Sequence, residues 1–120
     1  MSKNKIRSSA NGTCHWWMQR KTAIIMIPLV IWFAVVINSF LFDPELVMNT
    51  LLYSPLRFFC FLILINISIF HGMLGMKEIC EDYIHNNAYK FITIFLITCL
   101  SWVTMLAVSL VLLFNFVINV

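Results

Sequence analysis

FFCFLILINISIFHGMLGM, residues 58–76, runs for nineteen positions without an Asp, Glu, Lys or Arg. A helix rising 1.5 Å per residue needs about 20 apolar residues to cross a hydrocarbon core about 30 Å thick. A membrane β-strand would be about half as long and would alternate apolar and polar side chains. This stretch does not alternate. Inside lipid the backbone must satisfy its own hydrogen bonds, so an unbroken apolar run of this length reads as a transmembrane helix.

Two further charge-free stretches flank it. Residues 22–42, which include IIMIPLVIWFAVVI, and residues 91–120 also lack formal charges. The pattern predicts three transmembrane helices, about 22–42, 55–77 and 91–115. The division is a basic amino-terminal segment, 1–21, and a three-helix transmembrane anchor domain, 22–120. The fold class is all-α membrane protein.

Composition agrees. Of 120 residues, 62% are hydrophobic and only 11% charged, with a mean hydropathy of +0.92. A soluble domain is roughly a quarter charged, and a chain this small leaves much of its surface wet. That excludes a soluble enzyme, a disordered tail and a nucleic-acid-binding module. The four cysteines, at 14, 60, 80 and 99, form no CxxC pair and no disulfide framework.

Local signals refine the spans. Pro28 falls about two turns inside the first helix, where proline kinks the chain or sits near the inner end. Asp43 and Pro44 begin a short connection. Ser54 and Pro55 suit the cap and first turn of the second helix. The polar stretch 77–90, KEICEDYIHNNAYK, reads as the longest loop within the bundle.

Charge asymmetry sets the orientation. Lys3, Lys5, Arg7, Arg20 and Lys21 precede the first span, and Lys77 and Lys90 flank the 2–3 loop. The opposite side has Arg57 beside Asp43 and Glu45. The positive-inside rule places the amino terminus and the 2–3 loop in the cytoplasm and the carboxyl terminus in the periplasm, with a bacterial inner membrane the simplest setting. The first span is too long for a signal-peptide core and is expected to stay.

His71 is the most informative residue. It lies within the second span, where ionisable side chains are costly and usually functional. One reading makes it a haem ligand, a role that asks for a neutral imidazole in apolar surroundings. The other makes it a histidine bonded to a neighbouring helix, or one near the headgroups. Gly72 and Gly75 nearby leave room either for a flat macrocycle or for close helix packing. Asp82 and Tyr83 follow at the membrane edge. A phenol and a carboxylate there suit a quinone carbonyl and its protons, but a tyrosine of the interfacial belt and a solvated acid would look the same. His15, Trp16, Trp17 and Arg20 stand before the first span. Arg20 suits a carboxylate or a phosphate, and the Trp pair an interfacial anchor. Cys60 and Cys99 read as small hydrophobes, and Arg57 as a side chain snorkelling outward.

The stretch from His71 through Gly75 and Met76 to Asp82 and Tyr83 has the form H-x3-G-M-x5-D-Y. It resembles the signature of the hydrophobic membrane anchor subunit of succinate dehydrogenase (respiratory complex II), the smaller of that complex's anchors and of the cytochrome b type. The segment from Gly12 through His15, Trp16, Trp17 and Arg20 to Ala23 is similar to the region before that family's first helix. Length, span number and orientation agree with the family over essentially the whole chain.

The resemblance implies that His71 is one axial ligand of the iron of haem b. The haem would be shared with a sister anchor, with which the three helices would form a bundle. It implies that Asp82 and Tyr83 form part of the ubiquinone site, and that Arg20 and His15 lie near the haem propionates. The partners implied are the sister anchor, an iron–sulfur protein, a flavoprotein and the lipid bilayer, with no nucleic acid. The chain would carry no catalytic residue of its own. It would help pass electrons from succinate to quinone. The competing readings are a fumarate reductase anchor, which runs the chemistry in reverse, and a small transporter or scaffold protein without haem.

Overall fold

The computed structural model describes the backbone of residues 2–119 and the side chains of residues 12–119. Lys3, Lys5 and Arg7, part of the basic cluster, have side chains outside the described residues. Four helices follow one another: α1 (Ser2–Phe40), α2 (Pro44–Tyr53), α3 (Pro55–Tyr83) and α4 (Asn87–Asn119). Three of them contain segments long and apolar enough to cross a membrane: Gly12–Phe40, Pro55–Tyr83 and Asn87–Asn119. The expected all-α membrane fold with three spans is therefore observed.

The helices outrun their charge-free cores. α1 continues through Pro28 as one element. α3 extends to Tyr83, and α4 begins at Asn87, so only residues 84–86 remain of the polar loop expected over 77–90. Charge by itself does not end a helix. KEICEDY contains neither Gly nor Pro, and Glu and Lys are good helix formers. The break comes directly after it, where Ile84 N–H bonds to Cys80 C=O at 3.1 Å and Asn86 Oδ1 accepts from Ala88 N–H at 3.0 Å.

The connection after the first span is also more ordered than expected, since α2 fills most of it. Asp43 Oδ1 caps this helix by accepting from Leu46 N–H at 3.0 Å, Pro44 occupies the first turn, and Glu45 meets the positive end of the helix dipole. Ser54 does stand at the cap of α3 before Pro55, but its side chain makes no capping bond.

α3 is the centre of the layer. It packs against α1 on one side and α4 on the other, while α1 and α4 do not touch among the described residues. On α1, His15, Gln19, Thr22, Met26, Leu29 and Phe33 repeat at alternating steps of four and three, and all are buried or half-buried. That spacing keeps one seam against a neighbouring helix. Phe33 meets Phe61 of α3 with ring centroids 5.6 Å apart. On the far side, Phe58 stacks on Phe116 of α4 at 4.4 Å.

α2 crosses the end of the bundle where α1 stops and α3 begins, and contacts all three long helices. It closes a cleft of about 330 Å³ whose lining includes Trp32, Ser39, Val47, Thr50 and Arg57. The molecule measures 61 × 25 × 23 Å, an elongated slab with broad apolar faces. Ile24, Ile31, Leu100 and Leu110 are each at least 60% exposed, and α4 has no buried residue. Such faces are stable only against lipid or another apolar helix.

Candidate functional site

The seam between α1 and α3 carries one side-chain hydrogen bond, where the charge-free span of α1 begins. His71 Nδ1 lies 2.8 Å from Thr22 Oγ1. Thr22 is the only buried polar residue among the described ones, at 8% exposure. Its hydroxyl also lies 3.0 Å from Met18 C=O and 2.9 Å from Gln19 C=O, one turn back on α1. A hydroxyl has one proton and two lone pairs. When that proton goes to a carbonyl, a lone pair of Oγ1 is left to accept from Nδ1–H; with the ring proton on Nε2 the same contact runs the other way, from Oγ1–H to Nδ1. The other ring nitrogen, Nε2, makes no hydrogen bond among the described residues. Nor is it enclosed: the one fully buried, unpartnered side-chain atom among those residues is Gln19 Oε1. Nε2 therefore keeps an opening at the surface of the chain.

One turn beyond His71, Gly75 faces α1. A Cβ built there would sit 3.4 Å from Gln19 Nε2, whereas one built on Gly72 would meet nothing within 4 Å. Of the two readings of these glycines, close packing against α1 accounts for Gly75. Gly72 points to open space.

Asp82 and Tyr83 form the last turn of α3, and both are exposed, Tyr83 at 78%. Neither side chain has an ion pair or hydrogen bond among the described residues. Because α3 is continuous, Asp82 lies about 16 Å along the axis from His71. Beyond them, His85 Nδ1 lies 3.1 Å from Tyr83 C=O and orders the turn into α4.

Arg20 and His15 lie on different sides of α1. His15 is half-buried on the seam, about 10 Å along the helix from Thr22. Arg20 is exposed, about 160° around the helix from Thr22 by the helical period. Its guanidinium stands 4.5 Å over the Trp16 ring, which in turn meets Trp17 edge-on at 5.3 Å. The chain alone does not bring Arg20 and His71 together.

Thr22 and Gln19 are the site residues that sequence reasoning missed. Their signal was the four-three spacing they share with His15 and Met26, which marks them as seam residues. Among the described residues no three His, Cys, Asp or Glu side chains gather as a metal cage. What the apolar spans offer is one imidazole, His71, held through Nδ1 by a neighbouring helix.

No solved structure matches this chain. Curated relatives do. A succinate dehydrogenase hydrophobic membrane anchor subunit of Rickettsia conorii is 31% identical over 101 residues, covering 83% of this chain and 80% of the relative. A succinate dehydrogenase membrane anchor subunit of Reclinomonas americana is 30% identical over 95 residues, covering 76% and 78%. The anchor subunit of Rickettsia felis is 28% identical over 110 residues, covering 88% and 89%. The family described as succinate dehydrogenase/fumarate reductase transmembrane subunit matches residues 3–108. The match covers most of the chain, the three apolar helices agree with it, and the chain belongs to that family.

Proposed function

We propose that this chain anchors a succinate dehydrogenase in the membrane, contributes one axial ligand to haem b, and forms part of the site where ubiquinone is reduced. The observation that carries the haem assignment is the division of labour on His71: Nδ1 is engaged by Thr22, and Nε2 is unpaired and not fully enclosed among the described residues. An iron ligand needs that arrangement, with one nitrogen held by an outer partner and the other available to the metal. Haem b, when bound, supplies a one-electron centre inside the membrane.

A sister anchor packed on the open faces of the slab would supply the other protein ligand to the haem iron. His15 and Arg20 are the proposed neighbours of the propionates, and Arg20 is pre-positioned by its stacking on Trp16. Reduction of ubiquinone to quinol takes two electrons and two protons. Tyr83 donates a hydrogen bond to a quinone carbonyl, and Asp82 beside it provides a hydrated carboxylate at the proton-supplying side. Neither residue forms a covalent bond to substrate.

The flavoprotein oxidises succinate and the iron–sulfur protein relays the electrons, both docked at the cytoplasmic end, where the positive residues gather. The amino terminus is cytoplasmic and the carboxyl terminus periplasmic, in a bacterial inner membrane. The names of the relatives favour succinate oxidation over the reverse, fumarate-reducing direction.

The test is a reduced-minus-oxidised spectrum of the complex purified with its partner proteins. A b-type signal is expected, and His71→Ala should remove or change it. An unaltered spectrum in that variant overturns the ligand assignment.

A further inference from the structure

We infer that Thr22 is the positioning residue for His71: its hydroxyl accepts from Nδ1–H, holds the ring in the tautomer that exposes Nε2, and fixes the ring plane. This rests on the proposed role of His71 as a haem ligand.

Three observations converge. The Nδ1–Oγ1 distance of 2.8 Å is that of a well-formed hydrogen bond. The hydroxyl proton has two carbonyl acceptors within 3.0 Å, Met18 C=O and Gln19 C=O, so Oγ1 is free to accept from the ring. And Thr22 is buried against α3 at 8% exposure, so water does not compete for the imidazole proton.

The result is a relay of oriented dipoles, Nδ1–H to Oγ1–H to backbone C=O, in surroundings of low dielectric where each bond polarises the next. The opposite arrangement, with Oγ1–H donating to Nδ1, would put the ring proton on Nε2 and close that atom to a metal. The two backbone carbonyls give the hydroxyl proton another destination, and so favour the ligating tautomer.

The electronic consequence follows from the acceptor type. A hydrogen bond to Nδ1–H adds electron density to the imidazole and favours the ferric state. A hydroxyl does this more weakly than a carboxylate would, since it carries no charge. Removing the acceptor should weaken donation to the iron and raise the haem midpoint potential. It also frees the ring to rotate.

The experiment compares Thr22→Val, Thr22→Ala and Thr22→Ser in the whole complex, with His71→Ala as a control for the haem assignment. Redox titration and the low-spin ferric EPR signal are the readouts. Thr22→Val keeps the shape and loses the oxygen; Thr22→Ala removes the added bulk as a source of strain. Both are expected to raise the midpoint potential, shift the largest g value, and weaken haem affinity by about 10- to 100-fold. Thr22→Ser should restore all three.

Unchanged potential and EPR signal in Thr22→Val and Thr22→Ala, or a serine variant that behaves like them, overturns the inference. If His71→Ala retains the native haem signal, the ligand assignment itself fails. If His71→Ala loses that signal while the Thr22 variants stay native, only the role of Thr22 fails.

Discussion

Ser109 on α4 donates to Asn66 Oδ1 on α3 at 3.1 Å, on the side of α3 away from α1. Asn66 Nδ2 in turn donates to Leu62 C=O at 2.8 Å, so the amide is bonded at both its oxygen and its nitrogen. α3 is thus tied by side-chain hydrogen bonds on two faces, through His71 to α1 and through Asn66 to α4. Hydrocarbon offers no water to replace either bond.

The Asn66 clamp should be structural. Ser109→Ala is expected to lower stability by about 0.6 kcal/mol, and by no more than about 1.7 kcal/mol. Haem potential and quinone reduction should stay at their native values. The thermal midpoint of the detergent-solubilised complex, beside a redox titration, checks both halves.

The two glycines near His71 should respond differently. Gly75→Ala places a Cβ at ordinary contact with Gln19 and should be tolerated. Gly75→Val adds atoms that force Gln19 and α1 outward, next to the Thr22 bond, and should reduce haem content. Gly72→Ala meets nothing within 4 Å in this chain and replaces a poor helix former. Its effect on the stability of the purified chain should be neutral or favourable by up to about 1 kcal/mol. Haem-to-protein ratios and unfolding midpoints separate the three.

Among the described residues Phe58 is the one large side chain that is completely enclosed, at 0% exposure, stacked on Phe116 at an interplanar angle of 17°. Phe58→Ala opens a cavity between the start of α3 and the end of α4. In water such a change costs about 3–5 kcal/mol. Against lipid, which is itself apolar, the transfer part largely disappears and the lost packing remains. A cost of about 1–3 kcal/mol is expected, read as the shift in the unfolding midpoint in detergent. Phe58→Leu should recover most of it.

The spans were legible because charge is so costly in hydrocarbon that its absence marks them. Helix ends were less legible. Lys77, Glu78, Glu81 and Asp82 mark where water begins, yet the α3 backbone stays helical to Tyr83, because hydration and helix termination are separate events. α2 was hidden for a related reason. Asp43, Pro44 and Glu45 carry the signals of a helix start, but a ten-residue helix is too short to span and reads as a connection. His71 stood out because an imidazole is rare in such a run. Its partner did not: Thr22 is 49 positions away, and a threonine at the head of an apolar helix is unremarkable until the packing brings the two together.

Tyr83 is the place where stability and function should separate most cleanly. Its ring is 78% exposed and its hydroxyl has no partner among the described residues, so removing one oxygen leaves the fold untouched. Tyr83→Phe should therefore assemble normally, keep its haem spectrum, and transfer electrons from succinate to a soluble artificial acceptor at the native rate. Ubiquinone reduction should fall about tenfold, the value of one hydrogen bond of about 1.4 kcal/mol to the reacting quinone. Asp82→Asn keeps the size and removes the charge. It should slow the same step without altering the acceptor assay, because the carboxylate is proposed to serve the quinone's protons and not its binding. Parallel assays with the two acceptors are the measurement. Equal loss in both would mean that the last turn of α3 supports docking of the soluble proteins, and native rates in both would remove Tyr83 and Asp82 from the quinone site.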